Sequence, residues 1–234
     1  MKFKEQEKKK AITFSFDDGV TQDIRMVELM NRYGLKSTFN LNSELLGRSG
    51  TLSRNGERIS HYKVDPKDVR SIYEGHEVAV HTLTHPNLTE LTQAEIIRQV
   101  ETDRQNLSKL VGYEVVGMAY PCGGVNNDDR VAEIIKAHTG VKYARTITST
   151  DSFAPGENLY RFNPSVYYLD FDRMMELGRQ FVELKTDEPA VFYIWGHSYE
   201  MDYQPDCWAK LDEFFRLISG KDDIFYGTNR DVLL

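Results

Sequence analysis

Short apolar runs alternate with amphipathic segments along almost the whole of this chain, and that alternation limits the folds open to it more than any other feature. Strand character appears at residues 11–17, 35–41, 75–80, 115–120, 141–147, 165–169, 189–195 and 224–226, the last of these closing the chain. Helical patterns lie between them, over residues 21–33, 66–73, 128–138, 171–184 and 207–218. A further long helix opens at the capping box Thr92-Gln-Ala-Glu95 and runs through Leu107 and Leu110. Gly34 supplies a stop for the first helix, and Pro66 stands in the favoured first turn of the second. Regular alternation of this kind implies parallel strands joined by right-handed crossovers. Seven or eight units predict an α/β protein, a (β/α) barrel rather than an open sheet, built as a single domain over residues 1–234. Residues 43–64 are polar, carry Gly47, Gly50 and Gly56, and lack a clear period. They read as a long loop, and loops of that length in compact domains tend to be functional.

A formal net charge of −7 argues against a nucleic-acid partner and against an anionic membrane surface. It leaves a neutral substrate such as a glycan open. The first ten residues are strongly charged and lead directly into the first strand, with no apolar segment behind them and no membrane span later. A cytoplasmic location is therefore expected. Two cysteines, Cys122 and Cys207, are too few for a disulfide framework and read as free thiols.

Chemistry is concentrated where the first strand ends. Ala11-Ile-Thr-Phe-Ser-Phe-Asp-Asp-Gly19 runs from alternating apolar residues into two adjacent carboxylates and a glycine. In α/β proteins the carboxyl ends of strands carry the chemistry. Neighbours on a chain leaving its strand point differently, so Asp17 and Asp18 can hold separate tasks, one on a metal and one on a proton. The plainer alternative is that the pair caps the following helix. His81-Thr-Leu-Thr-His85 is the second signal. Pro86 disfavours a helical His85, so the two imidazoles belong to a strand end and the loop after it. Two imidazoles and one carboxylate leave positions open for water, as a hydrolytic metal requires, and suit zinc, cobalt, manganese or nickel.

Taken together, Phe16-Asp17-Asp18-Gly19 and His81-Thr-x-x-His85 resemble the first two motifs of the polysaccharide deacetylases, the NodB-like carbohydrate esterases of family 4. Ala119-Tyr120-Pro121-Cys122-Gly123 is similar to the third motif of that family, and Val191-Phe-Tyr-Ile-Trp-Gly-His197 to the apolar strand that ends in its last histidine. The resemblance implies a deformed (β/α) barrel of seven or eight units that hydrolyses N- or O-acetyl groups with a divalent metal, zinc foremost. Asp18, His81 and His85 would be the metal ligands. Asp17 would take a proton from the attacking water, the backbone N–H of Tyr120 would face the oxyanion, and His197 would protonate the leaving amine or alkoxide. The partner would be an acetylated oligo- or polysaccharide.

Two departures from the family pattern bear on these expectations. Ala119 stands where the family has an arginine that holds the catalytic aspartate; Arg145, at the end of the next strand, either reaches across to Asp17 instead or is a surface or core-rim arginine paired with another acid. The motif supplying a carboxylate to the acid histidine has no clear match, leaving Asp151, Glu200 and Asp202 as candidates. His61, His76 and His138 read as surface or capping histidines. Trp195, Tyr199, Tyr203 and Trp208 could form part of a glycan platform, with buried packing expected for at least half of them. Cys122 has nothing near it in sequence to activate a nucleophile, so a steric role is expected. Other readings use the same residues. A hydrolase of small cyclic imides, ureides or other amides would keep the fold and metal, and a non-catalytic glycan-binding module would keep the fold. An aspartate-nucleophile phosphatase would place one residue between its aspartates and would leave all three site histidines idle.

Overall fold

The computed structural model of the chain describes residues 7–54 and 56–234. Strand β1, Lys10–Asp17, is buried along its whole length, and the molecule is assembled on it. One flank pairs continuously with β9 (Ala190–Gly196), from Lys10 opposite Ala190 to Phe16 opposite Gly196. The other flank is divided between two strands. β10 (Ile224–Tyr226) takes residues 10–12, and β2 (Ser37–Leu41) takes residues 14–17. Beyond β2 come β5 (Glu77–Val80), β6 (Gly117–Ala119) and β7 (Tyr143–Arg145); beyond β9 comes β8 (Val166–Tyr167). Every ladder in this sheet is parallel. The sheet has eight strands among the described residues, and its short last strands curl towards each other. A bridge from Arg145 to Phe162, on the chain leading into β8, ties the two edges into the expected deformed barrel.

The period-two pattern of β1 explains both faces. Ile12, Phe14 and Phe16 belong to the outer core, where Phe14 meets Phe214 and Phe215 at ring separations of 6.5 and 5.3 Å. Those rings come from α6 (Cys207–Ile218), which packs beside α5 (Phe171–Glu183). Each such side chain taken from water is worth about 1.5–3 kcal/mol, so this face fixes the register of β1. Thr13, Ser15 and Asp17 point the other way, into a polar barrel interior. There Asn229 Nδ2 donates to Thr13 Oγ1 at 2.8 Å and Asn40 Nδ2 donates to Ser15 Oγ at 2.8 Å. Buried polar atoms need such partners.

The remaining helices are α1 (Asp23–Arg32), the short α2 (Val69–Ile72) behind a 3₁₀ turn at Pro66–Asp68, a long α3, and α4 (Asp129–His138). Thr92 caps α3 as its sequence predicts, its Oγ1 accepting from the Glu95 N–H. The helix is not regular, however. Gln93–Ile97 and Asp103–Val111 are joined by a π turn at Arg98–Thr102, which no propensity signals. Two further expectations are corrected. Residues 43–64 are not all loop: β3 (Thr51–Arg54) and β4 (Glu57–Ser60) form an antiparallel hairpin. Its residues are largely exposed apart from Ile59, so no hydrophobic alternation reveals it. β10 also does not close the chain, because a final helix α7, Asn229–Leu233, follows behind a Thr228 cap. Five residues are too few to show a helical period. No helix among the described residues is long and apolar enough to cross a membrane.

Candidate active site

In a parallel sheet all carboxyl ends lie at one end, so Asp17 at the end of β1 and Asp18 just past it, His81 after β5, Arg145 at the end of β7 and His197 after β9 arrive together. Asp18, His81 and His85 bring one ligand atom each to within 4.8 Å of one another, with His85 Nε2 3.7 Å from Asp18 Oδ1. His81 Nδ1 lies 2.9 Å from the Ala119 carbonyl oxygen, so the protonated nitrogen is held there and Nε2 keeps its lone pair. Burial pushes His81 down to about 4 and lowers His85 as well, leaving both imidazoles neutral at ordinary pH. Burial opposes ionisation of Asp18, but the His61 hydrogen bond and the Lys63 ammonium outweigh it and hold the carboxyl well below the usual range. One anion and two neutral imidazoles form a donor set that fits a divalent cation.

The backbone of this cluster is bent against preference. Asp18 (φ 84°), Thr82 (φ 69°), His85 (φ 64°) and Cys122 (φ 69°) all lie in the left-handed region, where non-glycine residues are uncommon. Surrounding bonds impose those bends. Gly19 turns the chain behind Asp18, and a Cβ there would lie 2.6 Å from Leu41 Cδ2. Asn42 Nδ2 donates to the carbonyls of His81 and Thr82 at 2.5 and 2.9 Å, and Thr82 Oγ1 accepts the His85 N–H at 3.1 Å. The π turn of α3 completes the clamp. The Gln99 carbonyl accepts the Leu83 N–H at 3.0 Å, and its side chain brackets Thr84. Asp103, just after that turn, accepts from the amides of Ser43 and His81, and burial raises its carboxyl to about 7. π turns recur at such sites because they offer backbone groups that a regular helix consumes.

Asp17 is buried with its two oxygens held by different partners. Asn40 Nδ2 donates to Oδ1 at 2.8 Å, and Arg145 Nη2 donates to Oδ2 at 2.5 Å. Arg145 is wholly buried, with its guanidinium 4.5 Å from the centre of the Trp195 ring. His197 Nε2 stands 4.0 Å from Asp17 Oδ2, while its Nδ1 lies 3.1 Å from Glu200 Oε2. Burial works against a charged imidazole at His197, but the carboxylates of Glu200, Asp17 and Asp18 overcome it and raise the group to about 9. Of the three carboxylates considered for this histidine, Glu200 is the one in contact. Asp151 instead lies beside Arg173, and Asp202 accepts from Trp208 Nε1 and Gln22.

Tyr120 is a correction. Its backbone N–H donates to the Arg145 carbonyl at 3.0 Å, continuing the β6–β7 ladder, and its hydroxyl donates to the Tyr160 carbonyl. That amide is committed to the sheet and does not face Asp18 as an oxyanion donor.

His61 is a residue that sequence patterning passed over: its Nε2 is 3.3 Å from Asp18 Oδ2. Lys63 is another, its Nζ donating to the Asp18 carbonyl at 2.7 Å and standing 3.2 Å from Oδ1. Both lie in the polar stretch 43–64, where nothing in spacing marks them. Asn40 and Asn42 did leave a signal, as amides two apart at the end of an apolar strand. Cys122 Sγ lies 3.5 Å from the His85 carbonyl oxygen and 3.8 Å from its Nδ1, and burial raises the thiol, so it packs against a candidate ligand as an inert group. Trp195, Tyr199 and Trp208 are buried and Tyr203 is half-buried, so packing accounts for most of the expected aromatic platform.

Residues 4–143 match the family model for polysaccharide deacetylase, and the chain belongs to that family. Among curated proteins it is similar to peptidoglycan-N-acetylmuramic acid deacetylase PdaC of Bacillus subtilis, at 27% identity over 124 residues. It is also similar to peptidoglycan-N-acetylglucosamine deacetylase PgdA of Listeria monocytogenes, at 29% identity over 129 residues. Those matches take in 52% and 54% of this chain but only 23% and 24% of the relatives, about a quarter of their length. Among solved structures, one described as a probable polysaccharide deacetylase from Pseudomonas aeruginosa PAO1 shares the fold at a TM-score of 0.71. That likeness covers 97% of this chain and 91% of the other at 12% identity.

Proposed function

We propose that the chain is a metal-dependent hydrolase that removes acetyl groups from an N- or O-acetylated carbohydrate, with the glycan strands of peptidoglycan as the first substrate class to try. The observation that carries this reading is the meeting of three potential ligands within 4.8 Å of one another beside a carboxylate that is not one of them. Asp18, His81 and His85 would hold the ion, with zinc the first choice. When bound there, a divalent cation would supply Lewis acidity to the attacking water and to the acetyl carbonyl.

The remaining work falls to this chain's own side chains. Asp17 is acceptor-only while ionised, and Asn40 and Arg145 fix the plane of its carboxylate. It would take a proton from water as the water oxygen attacks the acetyl carbon. His197 carries a proton at ordinary pH and would deliver it from Nε2 to the departing nitrogen or oxygen as the bond from the acetyl carbon breaks. Glu200 would hold the imidazole by Nδ1 and compensate its charge. Base and acid are thus different groups, each held by its own neighbours.

Acetate release from N-acetylated glucosamine oligomers, measured with the chelator-stripped protein before and after zinc is returned, tests the reading. Zinc-dependent acetate supports it. A protein that binds zinc and opens cyclic imides without releasing acetate would overturn it, and one that binds glycans but no metal would mark a binding module.

A further inference from the structure

Glu200 is held more firmly than a partner for a single histidine requires. Its Oε2 accepts the His197 backbone N–H at 3.2 Å and lies 3.1 Å from His197 Nδ1. Its Oε1 accepts the Tyr167 hydroxyl and stands 3.4 Å from Arg54 Nη1. The carboxylate is almost wholly buried, whereas the Arg54 side chain is half-exposed. These partners come from separate parts of the fold. Tyr167 ends β8 and packs its ring on Trp195 at 4.8 Å. Arg54 comes from the β3–β4 hairpin, its guanidinium 5.4 Å from the Tyr203 ring centre, beside a cleft of about 330 Å³ that Glu200, Tyr203 and Leu169 also line. The hairpin is seated there by Ile59 and Leu52, which pack with Val20, Tyr199 and Tyr203.

We propose that Arg54 and Tyr167 are positioning residues for proton delivery by His197: they hold Glu200 in the one rotamer that fixes the imidazole, and the hairpin is thereby part of the acid apparatus. This rests on the reading of His197 as the acid given above. A carboxylate bonded through only one oxygen can swing about its side-chain torsions, and a small misplacement of a proton donor costs rate without weakening substrate binding. The defect must also depend on the leaving group. An amine or alkoxide cannot depart without a proton, whereas a nitrophenolate can.

The test compares the zinc-loaded full chain with its Tyr167→Phe, Arg54→Ala and Arg54→Lys variants on N-acetylated glucosamine oligomers and on 4-nitrophenyl acetate. Tyr167→Phe is expected to lower kcat on the oligomers roughly tenfold, with KM held within about twofold and nitrophenyl ester turnover unchanged. Arg54→Ala should act the same way at about threefold, and Arg54→Lys should recover most of that loss. An equal loss on both substrates, or a change confined to KM, overturns the proposal. Nitrogen-15 NMR of the His197 ring supplies a readout that needs no turnover. Its Nδ1 resonance should move in Tyr167→Phe and Arg54→Ala and return in Arg54→Lys, and a resonance unchanged in all three overturns the proposal. If the unsubstituted chain cleaves neither substrate, the deacetylase reading fails while the NMR comparison still decides the positioning.

Discussion

Arg145 and Ala119 are ladder partners on adjacent strands, and Arg145 Nη2 stands 2.5 Å from Asp17 Oδ2. Ala119 occupies the place where the family pattern has its arginine. A guanidinium supplied from β7 thus reaches the carboxylate that one from β6 would serve, and the small Ala119 side chain leaves the level free. Arg145→Met should therefore strand Asp17 as a buried, unpaired charge. The expected cost is about 3–5 kcal/mol in stability, with kcat falling roughly a hundredfold. Adding Asp17→Asn should return much of the stability and none of the activity. Denaturant titration of the four members of this cycle, with kinetics on each, checks the coupling; an Arg145→Met protein of unchanged stability would show that the pair carries none.

If Asp18, His81 and His85 hold the proposed ion, its retention depends on neutral imidazoles and an ionised Asp18. Asp18→Asn and His81→Gln should each weaken zinc binding by more than about a hundredfold, beyond the 10–100-fold typical of outer partners. Competition with a chromophoric chelator measures this directly. Variants that still hold zinc at the original affinity would remove these residues from the ligand set.

If His197 is the acid, the pH dependence of turnover follows from it, because the group is raised to about 9. The imidazole is protonated below that value and loses its proton above it, so kcat/KM should hold through neutral pH and fall as pH rises through about 9. Glu200→Gln removes the largest attraction for that proton and should move the limb to lower pH. The same group contributes stability that is present below its unfolded value of about 6.5 and lost as pH rises through about 9. A basic limb identical in wild type and Glu200→Gln would assign the titration elsewhere.

His76 provides a stability test away from the chemistry. It is buried beneath α1, where Nδ1 accepts the Ser37 N–H at 3.2 Å, and burial pushes it down to about 4. Its folded state resists protonation more than its unfolded state does. Its contribution is thus complete above about 6.5 and lost as pH falls towards 4, a difference of about 3 kcal/mol at the low end. The wild-type denaturation midpoint should decline across that window more steeply than that of His76→Asn. Parallel curves would contradict this assignment.

Much of this site is legible in the sequence. The alternating apolar runs located the strands to within a few residues, and strand ends in a parallel sheet must share an edge, so the convergence of Asp18, His81 and Arg145 followed from topology. What stayed hidden was carried by segments without a period. The hairpin that brings Arg54 is mostly exposed, and the short polar stretch beyond it that brings the half-buried His61 and the buried Lys63 has no period, so neither leaves a hydrophobic pattern. The π turn that anchors the loop at 81–84 depends on tertiary bonding to Gln99 and Asp103, which a capped helical sequence conceals. The Tyr120 amide failed for a related reason. A residue just past a strand end can still be in the ladder, and local sequence does not say where pairing stops.

The left-handed backbone at Asp18, Thr82, His85 and Cys122 governs which mutations can be interpreted cleanly. Asparagine tolerates that conformation, whereas alanine and especially valine or isoleucine resist it. An alanine scan here would confound lost chemistry with a displaced loop, while asparagine replacements change the functional group and spare the bend. The same bias narrows neutral drift along these loops to a handful of residue types, whatever substrate a descendant comes to accept.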